Sequence, residues 1–397
     1  MHFTPWFVLV FSAFFFSWCM TLVGCFAIFS GLLISQAVPL ESSRSFGASP
    51  FLGLLCAIVF CTTVFVFLVG IFATTQRFMA EIAFARGIES ARTDAQGKDS
   101  IAWFDRAARL NKYNDTYYRT LGDWLLVRLG GELSGVSEAD TLTQESSKYV
   151  QSLIGAIVNA HARAIELSPY NVLNWLSRGV AYRELMSVLG DATEFAIQSH
   201  ERAVELDPMN PSVATELGKT YFAASQIVRP LTASADKTVA DDANEKMKQY
   251  LGKAEQIFGK AISLKSNYAP AHFELALVYD AQERTQDAIG KMESVAAYNT
   301  TDVGVMFQLG VMYLRRDAEG DVGRAQNALE RAVDLSPKYS NARWYLASIY
   351  ERQGDIAAAV REVEQVLKLN PDNGIVEARL ERLSRGKIVT ELPGEIE

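Results

Sequence analysis

A short phrase returns along this chain and narrows its architecture more than any other feature. It runs as a small residue, Ile or Val, any residue, Leu, any residue and Pro. Ala164-Ile165-Glu166-Leu167-Ser168-Pro169 is followed by Ala203-Val204-Glu205-Leu206-Asp207-Pro208, Ala332-Val333-Asp334-Leu335-Ser336-Pro337 and Val366-Leu367-Lys368-Leu369-Asn370-Pro371. Ala261-Ile262-Ser263-Leu264-Lys265 lacks only the proline. Helical patterns bearing Leu-Gly-x-x-Tyr, or a close variant, alternate with the phrase. Recurrence of this kind means stacked units, each contacting its neighbours, rather than one closed core.

The first 73 residues follow a different rule. Trp6–Leu33 and Phe51–Phe72 carry no charge. Each exceeds the roughly 20 residues that cross a hydrocarbon core as a helix. A cleaved signal peptide is the competing account of the first run, but it lacks a basic leading region and is too long. Two spans joined by a polar hairpin at 35–50 are therefore expected, with both chain ends on one side. Arg77, Arg86 and Arg92 follow the second span, against Arg44 alone in the hairpin, which leans the following region toward the cytoplasm.

Glu41 and Arg44 cancel within residues 1–73, so the net charge of −8 belongs to the remainder. An acidic region of this kind argues against nucleic acid as partner and against electrostatic adhesion to anionic lipid. All four cysteines, Cys19, Cys25, Cys56 and Cys61, lie in the apolar runs. No disulfide framework or zinc site can be built downstream.

Within the repeats, Trp175, Gly179, Tyr182, Ala196, Ala203 and Pro208 fall at recurring places, as do Leu346, Ala347, Tyr350, Ala359, Val363, Val366 and Pro371. These patterns resemble the tetratricopeptide repeat (TPR), a pair of helices per unit. Units are placed at 81–114, 115–171, 172–210, 211–268, 269–302, 303–339 and 340–373. A charged helix and tail at 374–397 cap the stack, and 1–73 form the two-span anchor. Insertions run over about 130–147 and 229–248. The fold expected is all-α: two N-terminal transmembrane helices, then a right-handed α-solenoid over 74–373. Small residues such as Gly179, Gly218, Gly310 and Ala347 stand where two helices of a unit approach closely. Tyr182, Tyr221, Tyr279, Tyr313 and Tyr350 fill the space between, and the prolines block helix continuation between units.

No catalytic constellation stands out. His161 and His200 occupy equivalent places in two units, which repetition explains better than ligation. No His-Glu-x-x-His, Cys-x-x-Cys, phosphate-binding loop or Gly-x-Ser-x-Gly occurs. No enzyme activity, cofactor or metal is expected, and the carboxylates read as a solvated face.

The resemblance implies a concave groove lined by the first helix of each unit. Its candidate partner-binding residues are Leu176 and Arg183 in one unit, Lys219 and Phe222 in the next, then Phe273 and Leu277, then Phe307, Val311 and Arg315, then Trp344. Phe273, Phe307 and Trp344 share one repeat position, so an open aromatic strip for an apolar peptide or helix is expected. The function implied is a non-catalytic scaffold that holds a protein partner at a membrane, like bacterial membrane-anchored TPR proteins of the inner membrane. The region after the second span is also similar to the TPR tail of O-antigen ligase/polymerase-like proteins, which implies an accessory part of a cell-surface glycan system as the alternative.

Overall fold

A computed structural model describes residues 50–94, 97–134 and 144–387. The expected first span, Trp6–Leu33, lies outside the described residues. Among these there are fifteen α-helices, one short 3-10 turn and no strand. The chain divides into two compact units, Met1–Tyr117 and Tyr118–Glu397.

In the first unit, α1 (Pro50–Ser90) is a single helix of 41 residues. No proline follows Pro50 to break it, and helix formers continue beyond residue 73. The second apolar run therefore continues without interruption into the first repeat helix, as the sequence leads one to expect. The hydroxyls of Thr62 and Thr74 donate back to the carbonyls of Ile58 (2.9 Å) and Gly70 (2.7 Å), so these polar groups are satisfied within the helix.

The helix has two characters. From Phe51 to Met79 none of its described side chains is buried. From there Ala80, Ala83 and Gly87 recur at helical spacing on one face and are all buried. They receive α2 (Lys98–Leu110), whose Phe104 is fully buried. A side chain at Gly87 would begin 2.5 Å from the Phe104 ring, so only glycine admits that ring. Trp103 lies between Arg86 and Arg106, whose guanidinium carbons are 5.0 and 5.5 Å from the ring centre. Asp94 accepts from the Gly97 and Asp99 amides and starts α2.

Helix α3 (Asp115–Ser134) crosses the division between the units. In the second unit it is followed by α4 (Gln144–Leu167), α5 (Val172–Glu184), α6 (Ala192–Leu206), α7 (Pro211–Val228) and α8 (Lys237–Leu264). Then come α9 (Ala269–Ala281), α10 (Thr285–Tyr298), α11 (Val303–Arg316), α12 (Asp321–Leu335), α13 (Ser340–Gln353), α14 (Ile356–Leu369) and α15 (Gly374–Ser384). Helices pack in sequential pairs, α5 on α6 through α13 on α14, and each pair packs on the next. Asn171, Asn210, Asp302 and Asn373 accept from first-turn amides, and Pro169, Pro208, Pro337 and Pro371 stand in the turns between pairs. The insertion at 229–248 forms a 3-10 turn (Arg229–Ala233) and lengthens α8 to 28 residues. The other insertion lies partly in α3 and α4 and partly, over 135–143, outside the described residues.

The pairs cross where small residues meet large ones. A side chain at Gly122 would begin 2.6 Å from His161, at Gly179 2.4 Å from His200, at Gly218 2.5 Å from Phe258, and at Gly310 2.6 Å from Leu329. Tyr182, Tyr221 and Tyr313 are buried as the repeat pattern predicts, while Tyr279 and Tyr350 are half-buried. Tyrosine hydroxyls tie three of the pairs to the one before. Tyr221 donates to Glu201 (2.8 Å), Tyr313 to Glu293 (2.5 Å) and Tyr350 to Glu330 (3.1 Å). Burial beside a carboxylate pushes the Tyr313 and Tyr350 hydroxyls up to about 12, so they remain donors at any ordinary pH.

Candidate protein-binding surface

Within the second unit the first helices of successive pairs, α5, α7, α9, α11 and α13, carry the residues predicted to line a groove. Their placement corrects the expected open aromatic strip. Phe307, Val311 and Trp344 are buried, at 2%, 3% and 3% exposure. The repeat position that holds Phe307 and Trp344 points sideways, toward the first helix of the following pair. Phe307 meets the rings of Tyr339 and Tyr345 edge-on at 5.1 and 5.7 Å. Trp344 is covered by the Arg379 guanidinium from α15, 4.2 Å from the ring centre. Neighbouring first helices approach too closely to leave these rings open, and burying them removes apolar area from water.

Phe273 is placed differently. It is half-buried and lines an open recess of about 300 Å³ with Glu274, Asn299, Asp302 and Val305. Leu176, Phe222 and Leu277 are also half-buried. An apolar side chain with a basic neighbour would fit this recess, since its ring stands beside two carboxylates. Burial raises the Glu274 carboxyl above the ordinary carboxylate range, with Lys219 pulling the other way.

The sequence reading missed the most regular feature of these helices, a succession of polar links that joins each first helix to the next. Arg119 donates to the Asn174 side chain at 2.9 Å, joining α3 to α5. Arg183 on α5 pairs with Glu216 on α7 at 2.9 Å. Lys219 pairs with Glu216 at 3.0 Å and reaches Glu274 on α9 at 3.9 Å. Asp280 on α9 receives Arg315 of α11 at 2.5 Å. Asp317, just after α11, receives Arg352 of α13 at 3.1 Å. Glu351 of α13 receives both Arg379 and Arg382 of α15. Arg183, Lys219 and Arg315, proposed from sequence as partner contacts, are thus already paired. Burial pushes the Glu216 carboxyl up, but Arg183 and Lys219 outweigh it and hold the carboxyl below its usual range. The signal was present as spacing: Asp280 to Arg315 and Asp317 to Arg352 are both 35 residues apart, one repeat.

The last link is the most enclosed. Glu351 is 1% exposed and Arg379 8%. Arg379 also donates to the Trp344 carbonyl (3.1 Å) and the Ser348 hydroxyl (2.8 Å). A buried charge needs this density of partners to offset desolvation. The expected capping helix therefore packs on α14, with Val376 and Leu383 buried, and is tied to α13 by its guanidinium groups. Elsewhere, among the described residues, no three His, Cys, Asp or Glu side chains are grouped to hold a metal ion.

Comparison with known proteins agrees with this repeat. Residues 318–382 match the family described as tetratricopeptide repeat. The human Protein O-mannosyl-transferase TMTC3 is 23% identical over 244 residues, which is 58% of this chain and 26% of the relative. The Small glutamine-rich tetratricopeptide repeat-containing protein 2 of Mycosarcoma maydis is 23% identical over 137 residues, 34% of this chain and 38% of that protein. The chain thus spans well under half the length of either relative. A solved tetratricopeptide repeat protein of Parabacteroides merdae aligns with a TM-score of 0.49 at 13% identity, over 77% of this chain and 99% of that structure. With helix pairs in sequence, small residues at their crossings and the family match over 318–382, residues 318–382 are tetratricopeptide repeats and the helix pairs before them repeat the same arrangement.

Proposed function

We propose that this protein is a non-catalytic scaffold, anchored in a membrane through α1 and binding a protein partner on the first-helix face of its second unit. The observation that supports partner binding is the Phe273 recess, an apolar ring beside Glu274 and Asp302, where Glu274 also faces Lys219 at 3.9 Å in an ionic link that a partner's own charges could replace. The partner segment this favours carries an apolar anchor flanked by basic residues. Anchoring rests on α1, the one helix among the described residues that is long and apolar enough to cross a membrane. The two-span arrangement, a bacterial inner membrane and a cytoplasmic repeat region belong to this proposal.

Phe273→Ala with Glu274→Gln should weaken capture of the partner by tenfold or more and leave the melting temperature within a few degrees, because both side chains line an open recess. Retained capture by this double variant would sink the groove reading. Phe307 and Trp344 are unsuitable for this test, since their removal opens the core.

A second reading takes the chain as an accessory or detached repeat tail of a glycan-assembly system of the O-antigen ligase/polymerase type. The relative named as a protein O-mannosyl-transferase favours it. Co-purification of a multi-span glycosyltransferase with the solubilised protein would select this reading over a general scaffold.

A further inference from the structure

The charge of the chain is unevenly distributed. Residues 74–114 hold seven basic and five acidic side chains, whereas 115–397 hold thirty basic and forty acidic ones. The part of the repeat region nearest the apolar run is therefore locally basic, against the acidic balance of the rest. Its geometry shows which side chains lie at the foot of that region.

Contacts within the first unit show that α2 runs back along α1. Trp103 and Phe104 meet Arg86 and Gly87, whereas Tyr117, further along the chain, meets Phe84 (5.1 Å between ring centres) and donates to Glu81 at 2.6 Å. Six helical residues from Phe104 to Leu110 cover about 9 Å toward the apolar end of α1. The turn that follows, 111–114, comes level with the stretch from Phe78 to Glu81. It is a defined turn: the Asn111 side chain accepts from the Tyr113 amide (3.4 Å) and the Asn114 side chain from the Thr116 amide (3.0 Å). Its two central residues point outward. Tyr113 is 70% exposed, and the Lys112 ammonium lies 5.3 Å from its ring centre. On α1 at the same level Arg77 is exposed and Phe78 is 65% exposed.

Helix α1 indicates what lies beneath this turn. About 20 residues cross a hydrocarbon core of about 30 Å. Counted back from Gln76, the last residue before the first charge at Arg77, that length reaches the neighbourhood of Ala57. The headgroup layer then begins at about Arg77. A tyrosine at that depth places its ring among the acyl carbonyls and its hydroxyl in water, and arginine and lysine reach outward to phosphates. Glu81 accepts from Tyr117, and Asp105 pairs with Arg109 at 2.5 Å. Both of these carboxylates are thus engaged within the unit, and Asp115, directly after the turn, opens α3.

We propose that Lys112 and Tyr113 in the 111–114 turn, with Arg77 and Phe78 on α1, form an interfacial collar that docks on the headgroups of a bilayer containing anionic phospholipid. The collar would hold the first repeat against the membrane surface at two points, the helix and the turn. It rests on the reading that α1 crosses the bilayer, and its test separates the two. The full chain, with its four cysteines replaced by serine or alanine, is given a single nitroxide through Phe65→Cys, Tyr113→Cys or Thr93→Cys and reconstituted into phosphatidylcholine vesicles containing a quarter phosphatidylglycerol. Collision with oxygen against a water-soluble nickel complex reports depth. Position 65 should lie in the hydrocarbon core and position 113 in the headgroup layer. Position 93, in the turn beyond the far end of α1, should lie in water. Adding Lys112→Glu should move the position 113 label several ångströms outward in these vesicles and much less in phosphatidylcholine alone. If position 65 is in the core but position 113 is as accessible to nickel as position 93, the collar is wrong and the crossing stands. If Lys112→Glu leaves the depth unchanged, the turn is merely close to the membrane and does not bind it. If position 65 is itself in water, the crossing fails, and the collar with it.

Discussion

The crossings α5–α6 and α7–α8 use the same backbone device with different chemistry. In both, a glycine on the first helix admits a flat ring from the second, His200 against Gly179 and Phe258 against Gly218. The repeat requires a ring of suitable volume there, and a phenyl group meets that need with no polar atom to satisfy. The imidazole has two. His200 Nδ1 lies 2.9 Å from the Thr220 hydroxyl, which belongs to the following pair, while Nε2 has no hydrogen-bond partner. His161, at the Gly122 crossing, has neither nitrogen hydrogen-bonded and lies 3.8 Å from the Asp123 carboxylate. The same slot therefore serves packing in one half of the second unit and brings in a proton-sensitive group in the other. Burial, helped by the positive charge of Arg183, holds the His200 pKa down to about 4. Burial with Arg178 and Arg119 nearby does the same to His161, also to about 4.

The comparison can be broken first at the phenyl crossing. Phe258→Ala should destabilise the α7–α8 pair by about 4 kcal/mol, a truncated buried aromatic ring with a cavity left behind, measured by urea unfolding. A loss below about 1 kcal/mol would mean the glycine-and-ring contact does not hold the pair together. Acid sharpens the difference. An unfolded histidine takes up a proton near pH 6.5 and the buried one only near pH 4, so its contribution is complete above pH 6.5 and is lost as pH falls toward 4. The loss is of order 3 kcal/mol for His200. His200→Phe should flatten stability between pH 6.5 and 4 by about that amount, because it recreates the α7–α8 crossing in α5–α6. An unchanged acid profile would show that other groups control the response. The smallest effect is expected on the surface. Arg315→Ala removes a partly exposed ion pair with Asp280 and should cost about 1 kcal/mol or less, within roughly 2 °C of melting temperature.

Much of the repeat could be read from residue spacing, because its signals are local. A proline ends a helix whatever surrounds it, and glycines and alanines three residues before a bulky tyrosine mark a helix face. Gly179, Gly218 and Gly310 were recognised in this way and stand at close crossings. Gly87 does the same work against Phe104 and was not, since the pattern around it is degenerate. The continuity of α1 was also readable, as no residue near 73 disfavours helix.

The candidate surface was less accessible. Phe273, Phe307 and Trp344 share a repeat position, yet Phe273 faces a recess and the other two are covered. What differs is the neighbour: Phe307 meets Tyr339 and Tyr345, and Trp344 meets Arg379, which lies 35 residues further on. The ionic links between first helices have the same origin.

Sequence alone determined that this chain is helical, repeats in pairs, and carries an apolar run leading directly into its first repeat, because period, glycine, proline and uncharged length act within one or two helical turns. Only the tertiary structure decided which ring is core and which is surface, which charges are already paired, and where the 111–114 turn sits along α1. Those properties depend on contacts a full repeat or more away, where the side chains of one helix pair set the surroundings of the next.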